Sequence, residues 1–248
     1  SASATLKRVT LELGGNDPAI VMPDVDVEKV AEQLFWAAFG NNGQICIATK
    51  RMYVHKDIYE PLRDAIVAYA KTVKIGDGSE QGTRLGPINN RPQYERVLDL
   101  IRDAKEQGYT FLMGGEKSDV PGYFIPVTIL DNPPENSRIV QEEQFGPVLP
   151  LLKFDNYDDV VARANATEYG LGGSIWGNDE DKAFEIAKRI QSGTVWVNEV
   201  QHLSPKLVAL GDDDRKTAKE SGFTDAELDE QMQELLYGRN ADWIPKIE

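Results

Sequence analysis

Apolar positions along this chain switch repeatedly between a two-residue and a helical period, which predicts strands alternating with helices. Val9, Leu11 and Leu13 alternate with Thr10 and Glu12 before Gly14-Gly15, predicting a strand with Glu12 at its carboxyl end. Asp26 is placed to cap a helix through Val27, Val30, Ala31, Leu34, Phe35 and Ala38, and Gly40-Asn41-Asn42-Gly43 stops it. Arg51 to His55 reads as a strand. Asp57 with Glu60 resembles a capping box for a helix through Ile58, Leu62, Ala65, Ile66 and Tyr69.

The alternation then repeats. Helices are expected over Pro92 to Glu106, Asp158 to Ala166 and Asp181 to Ile190. Strands are expected over Tyr109 to Met113, Phe124 to Leu130, Val148 to Phe154, Gly173 to Trp176 and Thr194 to Val197. Strands joined by helical crossovers make a mostly parallel sheet with helices on both faces, so the fold class is α/β. Ligands of such sheets bind beyond the carboxyl ends of the strands, which predicts a site beside Glu12. The last segment differs: Gly211 and three aspartates precede Thr224 with Glu227, a second capping box, and a helix presenting Leu228, Met232, Leu235 and Leu236. This reads as a C-terminal helical appendage.

Charge sharpens that division. Eleven acidic and five basic side chains lie from Leu207 onward, a net of −6 out of the whole chain's −14. The composition shift divides the chain into a body, residues 1–206, and an acidic tail, residues 207–248, of different origin. The acidic balance repels phosphate backbones and argues against a nucleic-acid partner. At 248 residues, 41% apolar and 27% charged, the chain is long enough for a full core. No apolar run is long enough to span a membrane, and SASATLKRV lacks the apolar stretch of a signal peptide. The expected compartment is the cytoplasm. Two histidines far apart give no metal pattern, and one cysteine makes no internal disulfide.

Two residues then stand out as candidate chemistry. Cys46 follows the helix stop in the run FGNNGQICIATKR, where backbone N–H groups can stabilise a thiolate and an oxyanion, and where Lys50 and Arg51 add positive charge. Its bland alternative is a small buried hydrophobe. Glu12 is either a solvated strand residue or, half buried in a cleft, a general base. A thiol nucleophile with a carboxylate base can form and hydrolyse a thioester.

The motifs carrying these residues resemble those of the aldehyde dehydrogenase superfamily. VTLELGGNDPAIV matches its glutamate signature, FGNNGQICIATKR its cysteine signature and EEQFGPVLPL its third shared motif. NATEYGLGGSIWGND and SGTVWVNEVQHLSPK look like later segments of the same catalytic domain, so the likeness covers about Ser1 to Lys206. The resemblance implies oxidation of a small-molecule aldehyde to a carboxylic acid with NAD or NADP, through a thiohemiacetal and thioester on Cys46, with Glu12 activating water. It implies cofactor contacts at Glu143, Phe145 and Leu13 and a substrate pocket flanked by Ile45 and Ile47. For Phe145 and the isoleucines, ordinary core packing is the alternative.

The chain also departs from that family. The cofactor domain that precedes LELGG in the family is missing here, and no paired glycine stands in a GxGxxG setting that would replace its phosphate loop. From Leu207 the family's glycine-rich loop and oligomerisation strand give way to the acidic tail, whose RN…W…I pattern has a slight likeness to the TraB/GumN family. The expectation is therefore a truncated or chimeric catalytic portion, open at a sheet edge that a second copy or a partner chain covers. The alternatives are a catalytically silent scaffold or a residual cysteine-dependent esterase.

Overall fold

The computed structural model describes residues 7, 11 and 13–202; Glu12 and the predicted tail helix through Leu228 lie outside the described residues. The elements follow as β1 (Asp17–Val21), α1 (Val27–Phe39), β2 (Thr49–His55), α2 (Tyr59–Ala70), α3 (Arg91–Glu106), β3 (Thr110–Met113), β4 (Thr128–Asp131), α4 (Arg138–Gln141), β5 (Val148–Phe154), α5 (Tyr157–Asn165), β6 (Gly172–Trp176), α6 (Glu180–Ala187) and β7 (Thr194–Val197). The strands form one sheet in the order β3-β4-β5-β2-β1-β6-β7. Only the β3–β4 pair is antiparallel; β4–β5, β5–β2, β2–β1, β1–β6 and β6–β7 are parallel. The α/β class with helices on both faces is therefore what the chain adopts.

The alternation of side chains along the central strands divides the core. Ala19, Val21, Met52 and Val54 face α1 and α2, packing on Leu34, Phe35, Phe39, Leu62 and Ile66. Ile20 and Tyr53 face the other way, toward α3 to α6, with Val97, Leu100, Ile139, Val160 and Ile186. Strands covered on both faces read as continuous apolar runs, as β5 does. No helix among the described residues is long and apolar enough to cross a membrane.

Three expectations change. Of the strand expected over Val9 to Leu13 only Leu11 and Leu13 are described, as irregular chain 66% and 79% exposed, and the first strand among the described residues begins beyond Gly14-Gly15, at Asp17. Asn16-Asp17-Pro18 reads locally as a turn. Pro18 is tolerated because the register with β2 shifts between Asp17 and Pro18, and pairing with β6 starts only at Ala19. The Asp57–Glu60 capping box is also not formed. A 3-10 turn, Lys56–Ile58, intervenes, and α2 starts at Tyr59 without a side-chain cap. By contrast, Asp26 Oδ1 accepts from Lys29 N as expected. The third change concerns the site and follows from its position.

Candidate active site

The motif residues gather at the amino ends of the parallel strands, not the carboxyl ends. Gly14 and Gly15 precede β1, the cysteine loop precedes β2, and Glu143 and Phe145 precede β5. The expectation of a site at a carboxyl strand end rested on Glu12, which lies outside the described residues.

The cysteine loop is built by three successive left-handed residues, Asn41 (φ 50°), Asn42 (φ 59°) and Gly43 (φ 70°), which end α1 and reverse the chain. Asparagine tolerates this region better than most side chains, and glycine adopts it freely. Ala48 N then donates to Ile45 O at 3.1 Å, so Cys46 and Ile47 are the central pair of a tight turn. Among the described residues neither central N–H has a hydrogen-bond partner. Cys46 is half-buried on this turn.

Gly15 joins the three motifs. Its N–H donates to Glu143 Oε1 at 3.0 Å, across a separation of 128 residues. A Cβ at Gly15 would collide with the Cys46 carbonyl oxygen, so the absence of a side chain lets the glutamate motif pass beneath the cysteine loop. At Gly14, held at φ 80°, a Cβ would strike the Glu143 carboxylate.

Beneath this junction lies a buried set of charges. Lys50 and Arg51, expected as positive charge around the thiol, are each 1% exposed and point to opposite faces of β2. Lys50 Nζ donates to Gly146 O at 2.9 Å. Arg51 serves another purpose: its guanidinium donates to Asn16 O at 2.8 Å, Ala164 O at 3.0 Å, Tyr53 Oη at 3.3 Å and Arg163 O at 3.4 Å. It thus caps the carboxyl end of α5 and ties it to the segment before β1. Asp17 accepts the Gly172 N–H at 3.1 Å. Burial pushes the Asp17 carboxyl up to about 7 and pulls the Lys50 ammonium down to about 7, each charge partly retained by its neighbours.

Phe145 is held in the left-handed region at φ 46°, where the Gln93 amide donates to both Gln144 O (2.9 Å) and Phe145 O (3.1 Å). Such strain persists only where surroundings fix it. Phe145 borders a cavity of about 550 Å³ with Asn41, Gln44, Ile88, Tyr123 and Phe124. Cys46, Ile45 and Ile47 are not among its walls; Ile45 turns back toward Gly40. Leu13 is exposed ahead of the junction. No group of three or more metal-ligating side chains occurs among the described residues.

Asn16, Asp17, Gln44 and Gln93 were not foreseen as site residues. Asn16 Nδ2 donates to Val140 O at 2.9 Å, fixing the glutamate motif to α4. Gln44 Oε1 accepts the Asn89 N–H at 2.8 Å, fixing the cysteine loop to the segment before α3. Only Asp17 carried a sequence signal, an acidic residue immediately before an apolar run.

Comparison with known proteins places this arrangement. The chain is 51% identical over 170 residues to a probable aldehyde dehydrogenase of Pseudomonas, covering 68% of this chain and 35% of that protein. It superposes with a TM-score of 0.76 on the NAD+ complex of an aldehyde dehydrogenase from Bacillus cereus, at 39% identity, covering 80% of this chain and 40% of that one. It superposes at 0.75, with 37% identity, on aldehyde dehydrogenase C from Pseudomonas syringae in complex with NAD+ and octanal, covering 79% of this chain and 41% of that one. The chain thus spans about two fifths of the length of the relatives it matches. The match to the family model runs over residues 1–239, past Leu207, and lends nothing to the TraB/GumN likeness or to a chimeric origin. With its model matched over nearly the whole length, the chain belongs to the aldehyde dehydrogenase family.

Proposed function

We propose that residues 1–206 are the cysteine-bearing catalytic portion of an enzyme that oxidises a small-molecule aldehyde to its carboxylic acid with NAD or NADP. The observation that carries this reading is the turn at Cys46, which presents a half-buried thiol with two unspent backbone N–H groups beside it.

In this reading the Cys46 thiol gives its proton to water and its sulfur bonds to the aldehyde carbonyl carbon, while the carbonyl oxygen, gaining the charge, lies toward the Cys46 and Ile47 N–H groups. A bound nicotinamide would supply the hydride acceptor needed to take this adduct to a thioester on Cys46. Glu12 takes a proton from water, which adds to the thioester carbon; the carbon–sulfur bond breaks and the acid leaves. Ile45 and Ile47 flank the thiol on the substrate side.

The residues present suit one end of the cofactor. Glu143 keeps acceptor capacity beyond its bond to Gly15, as binding a ribose hydroxyl requires. The cavity edged by Phe145 falls within the roughly 300–1,000 Å³ range of small-molecule sites. Leu13 lies exposed on the approach. The NAD+ complexes of the relatives, one also holding octanal, support the same cofactor and substrate class.

Hydrolysis of activated esters is the second reading, favoured by the same turn at Cys46. It needs Cys46 and Glu12 but no hydride acceptor. A chain that neither reacts nor binds would be a silent scaffold. The test is second-order alkylation of the single cysteine at neutral pH, beside p-nitrophenyl ester hydrolysis and octanal oxidation with NAD+. Alkylation well above that of free cysteine, with hydrolysis lost in Cys46→Ala, supports the nucleophile. A rate equal to that of free cysteine overturns it.

A further inference from the structure

The Lys50 ammonium is a buried charge at the junction that the proposed chemistry leaves unused. It donates to Gly146 O at 2.9 Å, 96 residues along the chain. A Cβ on Gly43 would come within 2.6 Å of the same nitrogen, and another contact would be the Gly146 carbonyl. The ammonium is therefore wedged between the cysteine loop and the segment just beyond Phe145. Gly15 closes the ring on the other side, bonding Glu143 and lying against the Cys46 carbonyl. The charged groups that face Lys50 are Asp17, the first residue of β1, and Glu143, ahead of β5; Arg51 acts on Asp17 from the neighbouring strand position.

We infer that Lys50 is a positioning residue: its buried ammonium holds the Cys46 loop and the Glu143–Gly146 segment in one register and sets the sign of the local field at the loop. This rests on the reading of Cys46 as the nucleophile. A methionine of similar length would fill the space without the cost of burying a charge, so a charge kept here calls for an electrostatic role. Lys50 and Asp17 both titrate near 7. Loss of either proton moves the local charge in the negative direction, so the field turns less positive as pH rises through that value.

The single cysteine lets the full chain report on this directly. The readout is the ratio of Cys46 alkylation rates with iodoacetate, an anion, and iodoacetamide, a neutral reagent of the same reach, divided by that ratio for free cysteine. In the unaltered chain this normalised ratio should fall on going from pH 6 to pH 8. Lys50→Met should lower it about threefold to tenfold at pH 6, the range expected for removing one partly screened charge. Asp17→Asn, which keeps an acceptor for Gly172 N–H, should raise it at pH 8. A purely structural role would change both rates together and leave the ratio fixed. If Lys50→Met does not fold, as judged by circular dichroism, Asp17→Asn decides alone. Ratios unchanged in every folded variant overturn the inference. An unaltered chain no faster than free cysteine with iodoacetamide overturns the nucleophile reading instead.

Discussion

Gly15 and Cys46 meet at the level of the backbone, because a Cβ on Gly15 would strike the Cys46 carbonyl oxygen. Gly15→Ala must displace either the cysteine loop or the segment before β1. Overpacking of this kind costs about 1–3 kcal/mol, and it should lower the Cys46 alkylation rate as well as the midpoint of urea unfolding. A variant that keeps both values would show that the loop has slack.

Asp17 makes stability depend on pH with a definite sign. Its carboxyl is raised from 3.8 to about 7 in the folded chain, so between those values the native state holds a proton that the unfolded state has lost. Stability therefore falls as pH rises across this window, by at most about 1.4 kcal/mol per pH unit from this group. Urea unfolding at intervals from pH 4 to 7 should show Asp17→Asn gaining steadily on the unaltered chain. Parallel profiles would mean that the carboxylate is better solvated than its burial implies.

Arg51 cannot be replaced by another cation. Lys at this position reaches at most one or two of the four acceptors, leaving the end of α5 and Asn16 O without donors. Arg51→Lys should cost about 2 kcal/mol or more, and Arg51→Met about 3 kcal/mol or more, with amide exchange accelerated first in the last turn of α5. Exchange unchanged in α5 would count against the capping role.

Gln93 holds the strained backbone at Phe145. Gln93→Leu removes the donor to two carbonyls, at a cost of about 1–3 kcal/mol, and frees Phe145 to leave φ 46°. A dye or fragment bound in the cavity beside Phe145 should lose affinity in this variant by about tenfold. Undiminished binding would show that Phe145 stays in place without Gln93.

Regular elements were legible where a single local cause governed them. β7 falls on Thr194–Val197 as its alternation predicts, and α1 starts at Asp26 because the capping side chain and the apolar spacing agree. β1 (Asp17–Val21) was not legible because it opens on Asn16, Asp17 and Pro18, a local turn signal overruled by pairing on both sides. The thiol and its loop were legible because glycine, asparagine and cysteine cluster within a few positions. The burial of Lys50 and Arg51 was not, because nothing local distinguishes a solvated pair of cations from a pair whose partners include carbonyls 96 and 113 residues away.

The bond between Gly15 and Glu143 spans 128 residues, so it can form only after the chain has been laid down through the segment before β5. Closing so long a loop is deferred in folding until shorter pairings have brought its ends together. During synthesis, β1, α1 and β2 emerge with Cys46 while its clamp does not yet exist. The thiol is then without that clamp, which comes into being only once the chain has passed Glu143, ahead of β5.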